Sequence, residues 1–198
     1  MAHLTAETLY ALTPPQGEAP RLRRGDIYSG LFRAGTDPLP GVVVTPACPI
    51  AQGKIANVVV CAVVPLADAL GMHARTLGKP GFTYAADGRR VASANADAKK
   101  KLRNWCEDLC NANLAFLHLL PWLDPDDPVS PHHVALLTHA YTTPLAVRPE
   151  CGDYIATISP RYADHLCARF ATYFLQIGTD DIHADERAKI GESAVNGL

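Results

Sequence analysis

The sequence predicts an α+β domain: a small bent β-barrel, or strongly bent sheet, of about six strands, with a helical insertion and a C-terminal helix packed across it. Three observations predict it. Val42 to Thr45 and Val58 to Val64 are β-branched runs bounded by Gly, Pro and Asn, which favours strands, and their near-continuous apolar character implies burial on both faces. A segment rich in strong helix formers separates the third strand candidate from the fourth, placing an insertion at about residues 66–112. Ser159, Pro160 and Gly178 stand where a helix takes its N-cap, first residue and terminator.

In chain order, residues 1–22 read as an N-terminal arm with a short helix from Thr5 to Leu12, ended by Pro14-Pro15. Arg23 to Phe32 alternates as a first strand entered through a Gly25-Asp26 turn. The two valine-rich strands follow, and the Pro- and Gly-rich connection from Pro46 to Lys54 cannot extend their ladder. Leu66 to Leu70 reads as a short helical piece and Gly71 to Gly88 as a loop. The next helix is expected from Ser93 to about Asn111, with Leu102, Trp105, Cys106, Leu109 and Cys110 on its core face. Leu114 to Leu120, Val134 to Tyr141 and Tyr154 to Ile158 complete the strands. Tyr162, Leu166, Phe170, Tyr173, Phe174 and Ile177 form the apolar stripe of the last helix, so the domain spans residues 23–178 and a polar, mobile tail occupies 179–198.

A chain of 198 residues is long enough for one well-buried core. Its net charge of −2 argues against a protein whose whole surface binds nucleic acid, while leaving room for a local patch. No apolar run approaches the ~18 residues that span a bilayer, so a cytoplasmic protein is expected, with no membrane partner. The six cysteines follow no small-scaffold pattern and read as thiols, mostly buried.

Charge is uneven along the chain. Between His73 and Asn104, eight cations (Arg75, Lys79, Arg89, Arg90, Lys99, Lys100, Lys101 and Arg103) face two acids, Asp87 and Asp97, as a phosphate-binding arm would; a solvated helix face is the alternative. Arg161, His165 and Arg169 recur every four residues on the last helix, a second basic stripe suited to a phosphate or an acidic partner. Cys106 and Cys110 could reach one metal with His132, His133, His139 or Cys151, but the spacing matches no zinc pattern and no metal or other cofactor is expected. Cys48 would need a base such as His118 or His139 to act as a nucleophile, and no hydrolase signature surrounds it.

Arg24-Gly25-Asp26-Ile27, followed by Gly41-Val-Val-Val-Thr45 and Val58 to Val64, resembles the opening of PemK/MazF-type toxin barrels, whose fold is SH3-like. The chain is more similar to uncharacterised bacterial proteins distantly related to that barrel, which carry Cys-Asp or Cys-Glu after the valine strand and end on a Ser-Pro helix. The matching residues here are Thr45-Pro-Ala-Cys48-Pro49, and Ser159-Pro160-Arg161-Tyr162 through Gln176-Ile177-Gly178. Leu39-Pro40-Gly41 stands where the toxins place an arginine, and Pro49 where the closer group has an acid. The resemblance implies a bacterial stress, toxin–antitoxin or phage-defence setting. With no convincing catalytic set, the expectation is a non-enzymatic binding or regulatory module. It acts on another protein or RNA through the basic insertion and the last helix, with a homodimer as a further expectation. The alternative is a metal-independent endoribonuclease in which Thr45 and a cation such as Arg24 or Arg33 flank the scissile phosphate, with Cys48 a weaker catalytic candidate.

Overall fold

The computed structural model describes residues 5–13, 21–33, 38–78, 81–88, 90–124, 126, 131–146 and 149–176. The expected mobile tail, the helix terminator Gly178 and the cations Lys79 and Arg89 lie outside the described residues.

The elements are α1 (Ala6–Leu9), β1 (Tyr10–Ala11), β2 (Asp26–Arg33), β3 (Pro38–Val43), α2 (Ala47–Ala51), β4 (Asn57–Pro65), α3 (Leu66–Thr76), β5 (Phe82–Tyr84), β6 (Val91–Ala94), α4 (Ala96–Cys110), β7 (Leu117–Leu120), β8 (His133–Pro144), a 3-10 turn (Pro149–Cys151), β9 (Tyr154–Ile158) and α5 (Pro160–Gln176). Seven strands pair antiparallel in the order β1-β9-β2-β3-β4-β8-β7, and β5 and β6 form a separate two-stranded ribbon. The fold is therefore α+β. Among the described residues β1 and β7 end the order with no ladder between them, and no closed barrel is found.

Bulges bend this sheet. The β4–β8 register advances one residue from Cys61 to Ala62 against four from Ala140 to Leu136, leaving Leu137, Thr138 and His139 as extra length in β8. A second irregularity lies between Tyr28 and Phe32 of β2, where a Cβ on Gly41 would stand 2.9 Å from the Phe32 nitrogen and 2.8 Å from Val60.

The valine strands are covered on both faces, as their composition predicts. Ile27, Val42, Val44, Cys61, Val63 and Ile158 pack beneath Ala163 and Leu166 of α5. On the other face Phe32, Ala62, Val134 and Leu136 meet Ala69 of α3 and Trp105 and Leu109 of α4, while Tyr28, Val43, Val58 and Val60 pack with Ile50 of α2. Burial of each such side chain contributes about 1.5–3 kcal/mol relative to exposure.

Several expectations are corrected. Tyr10 and Ala11 leave the predicted first helix to pair with Ile158 and Thr157, because the tertiary ladder outweighs the propensity of so short a helix. The Pro46–Lys54 connection holds the short helix α2, and α3 runs through Gly71, which is buried. The ribbon β5–β6 occupies part of the expected loop and takes in Ser93, so Asn95 caps α4 instead, its side chain accepting the Ala98 N–H at 2.9 Å. Cys110, expected in the core, is exposed. No helix among the described residues is long and apolar enough to cross a membrane.

Candidate anion-binding cleft

The Arg24-Gly25-Asp26-Ile27 run and the opening of the last helix, distant in sequence, meet in the fold. Gly25 holds φ +83°, and a Cβ there would stand 3.1 Å from the Ala163 Cβ and 3.2 Å from the Ile158 carbonyl. Its N–H donates to Val43 and its carbonyl accepts from Ile158, so one residue joins β2, β3 and β9 under α5. Asp26 is buried, accepts the Arg23 N–H at 2.7 Å and takes a short hydrogen bond from the Thr157 hydroxyl. Burial raises its pKa, opposed by those two bonds. Ile27 is core, and Arg24 forms an ion pair with Asp164 of α5. These motif residues fasten the helix to the sheet.

The residues of the ribonuclease alternative are each engaged by protein groups, Arg24 by Asp164, Thr45 by Val59 and Arg33 by Glu150. Thr45 is buried and its hydroxyl accepts the Val59 N–H at 2.6 Å. Arg33 lies at the opposite end of β2 from Arg24, its guanidinium donating to the Glu150 carbonyl at 2.6 Å. Cys48 is exposed on α2. His118 lies on β7 and packs against α5 residues, and His139 accompanies Thr138 in the β8 bulge.

The described cations of the basic insertion are held in different ways. Arg75 stacks over the Tyr84 ring at 5.3 Å, and Arg90 pairs with Asp68 at 3.2 Å. Lys99, Lys100, Lys101 and Arg103 are exposed on α4. Helical periodicity turns Lys99 and Arg103 to one flank, Lys101 to the other and Lys100 outward between them. Among the described residues no group of three or more His, Cys, Asp or Glu is placed to hold a metal.

The stripe on the last helix fares differently. His165 and Arg169 line a cleft of about 380 Å³ with Thr172 and Tyr173, closed on the other side by Ala112 and Asn113 of the turn after α4. That turn is tight: Ala112 holds φ +60°, its N–H donates to Leu109 and the Asn113 N–H donates to Asp108, a Schellman closure with alanine in the left-handed position. The next carbonyl, of Leu114, accepts from the Arg169 guanidinium. Arg169 is half-buried, has no carboxylate partner among the described residues, and is lowered in pKa by desolvation. Arg161 lies exposed on the same helix, outside the cleft lining.

Behind the cleft lies a residue that the sequence raised only as a partner for Cys48. His118 is 3% exposed, its ring 5.3 Å from His165 and 5.9 Å from Tyr162, and its Nε2 has no hydrogen-bond partner among the described residues. Burial, then the charges of Arg169 and His165, push its pKa down to about 3, so it is neutral at pH 7. The cleft is thus a recess built on one guanidinium, which spends a donor on the Leu114 carbonyl, and one exposed imidazole, with the Thr172 hydroxyl turned back onto the Ala168 carbonyl. Comparison of the chain with protein-family models and with curated proteins finds no match.

Proposed function

We propose that this chain is a non-enzymatic binding and regulatory module that grips a phosphate of an RNA partner in the cleft between the Ala112–Ala115 turn and α5. The observation that carries the reading is Arg169. It is half-buried beside His165, spends one donor on the Leu114 carbonyl, and forms no ion pair among the described residues. A guanidinium in that state offers its remaining N–H groups in a fork that matches phosphate oxygens. Of the other polar residues in the lining, Asn113 donates its side-chain amide to Asp108 and Thr172 its hydroxyl to the Ala168 carbonyl, so Arg169 and His165 are the groups left to meet an anion. The exposed cations of α4 supply sequence-independent attraction.

The motifs Arg24-Gly25-Asp26-Ile27 and Gly41-Val-Val-Val-Thr45 are what supports a distant kinship with the PemK/MazF-type barrel, and with it a bacterial stress or defence setting. Six free thiols suit a reducing cytoplasm.

The test is titration of purified protein with short single-stranded RNA across a salt series, with the same samples run on a gel. Binding is expected to weaken with salt and to fall about tenfold or more in Arg169→Gln, the loss of a charge-assisted contact worth ~1.5–3 kcal/mol. Equal binding by wild type and Arg169→Gln removes the reading. RNA cleavage abolished by Arg24→Ala would put a ribonuclease in its place.

A further inference from the structure

A second cavity, of about 430 Å³, lies between the chain entering β2 and the helix α2, and shares no residue with the cleft on α5. One wall is Arg21 to Arg24, the other Ala47, Ile50 and Ala51. Among the described residues its lining therefore holds three arginines and no carboxylate. The local backbone explains the first wall. The Leu22 N–H donates to the Leu145 carbonyl at 2.8 Å and Arg21 bridges Ala146, so this segment runs extended and its side chains alternate. Leu22 is buried with Tyr28, Val58 and Val60, while Arg21 and Arg23 are exposed. The turn at Gly25, with φ +83°, follows at once and leaves Arg24 lining the same cavity. On the second wall Ala47, Ile50 and Ala51 share one face of α2 at i, i+3 and i+4. Ile50 packs onto the Leu22 cluster, and the alanines on either side are too short to fill the space above it.

The acids nearest these arginines stand outside the lining. Asp164 pairs with Arg24 from α5. Asp26 is buried, and its carboxylate is occupied by the Arg23 N–H and the Thr157 hydroxyl. Arg21 is exposed and forms no ion pair among the described residues. Three guanidinia on one cavity wall, with a single exposed carboxylate paired to one of them, leave an excess of positive charge facing the space.

We propose that this cavity binds a small organic phosphate, its phosphoryl group held by the arginine wall and its carbon body seated on Ile50, Ala47 and Ala51. The cations select the head group: a guanidinium is a planar fork matched to phosphate oxygens, and a dianion satisfies more than one fork where a carboxylate satisfies one. The α2 wall selects the body. Its side chains offer no hydrogen bond to a bare anion, whereas an apolar body leaves water there at a gain. The volume falls within the ~300–1,000 Å³ of small-molecule sites, enough for a ring and a phosphate together.

Phenyl phosphate is the probe, titrated by calorimetry into Arg169→Gln protein so that the cleft on α5 does not contribute. Benzoate, with the same ring and one charge, and inorganic phosphate, with no ring, are the comparisons. Phenyl phosphate is expected to bind about tenfold or more tighter than either. Adding Arg21→Gln, a change at an exposed side chain, is expected to weaken it by about tenfold, one lost charge-assisted contact. Ala51→Trp, which fills the cavity from an exposed position on its wall, is expected to abolish binding while urea unfolding stays as in the parent. No binding of phenyl phosphate, equal affinity for all three anions, or affinity unaltered by Arg21→Gln or by a folded Ala51→Trp overturns the proposal. With Arg169 replaced throughout, none of these outcomes depends on RNA binding in the cleft.

Discussion

On the α5 side of the molecule, two cations are drawn against specific protein groups, Arg24 onto Asp164 and Arg169 onto the Leu114 carbonyl, with buried Asp26 and His118 behind them. On the α3–α4 side the cations are more numerous, yet Arg75 covers a tyrosine, Arg90 pairs with Asp68, and those of α4 point in three directions. The difference teaches that charge dense in sequence is not charge dense in space. A helix spreads consecutive residues around its axis, while residues four apart on α5, met by a turn from elsewhere, converge on one cleft.

The largest expected effect tests how tightly the α5 side is fastened. Gly25 has a left-handed backbone and no room for a Cβ, whereas Gly78, with φ +55°, follows α3 in open space. Gly25→Ala should cost about 2–4 kcal/mol, combining backbone strain with overpacking, and Gly78→Ala only ~1 kcal/mol. Urea unfolding of both variants decides it. Equal losses would mean that α5 yields without cost, and the contrast between the two sides would fall.

Next in size is a pH effect confined to the α5 side. His118 has a folded-state pKa of about 3, below its ordinary value of 6.5, because burial and its cationic neighbours disfavour the imidazolium. Its neutral form costs nothing above pH 6.5. As pH falls from 6.5 toward 3, the unfolded chain takes up a proton that the folded chain refuses, removing up to about 1.4 kcal/mol per pH unit. His118→Phe, similar in shape and with no unpartnered nitrogen, should flatten the stability profile between pH 6.5 and 4 and leave neutral-pH stability within about 1 kcal/mol. An unchanged acid slope would show that His118 reaches water.

Much of the α5 side was legible in the sequence, and the reason is periodicity. The helix bracket Ser159-Pro160 and the four-residue spacing of His165 and Arg169 are local signals, and both describe α5 correctly. The other wall of the cleft left no signal, because Ala112 occupies a left-handed position that sequence assigns to Gly or Asn. Strands β1, β5 and β6 hold two to four residues each, too few to show alternation, and exist through their partners. The clamp of Arg24-Gly25-Asp26 onto α5 joins two segments that sequence shows only separately.

The Ala112 turn supplies a smaller prediction. Alanine pays for its φ of +60° where glycine would not, so Ala112→Gly should stabilise the protein by about 0.5–1 kcal/mol in urea unfolding. A loss instead would mean that the methyl group packs in the cleft, of which Ala112 is a wall.

The smallest effect compares one ion pair from each side. Arg90 and Asp68 expose 40% and 20% of their side chains, and Arg24 and Asp164 expose 19% and 64%. Each pair has one partner open to water, so solvent screens both, and double-mutant cycles should give couplings of about 0.2–1 kcal/mol for each. Raising the salt to ~1 M, where the Debye length is about 3 Å, should shrink both. The α5 side would then owe its rigidity to Gly25 and to buried contacts rather than to its ion pair. A salt-resistant Arg24–Asp164 coupling several times that of Arg90–Asp68 would instead assign the fastening to the charge itself, and the Gly25 and Gly78 variants should then differ by less than the strain and overpacking account requires.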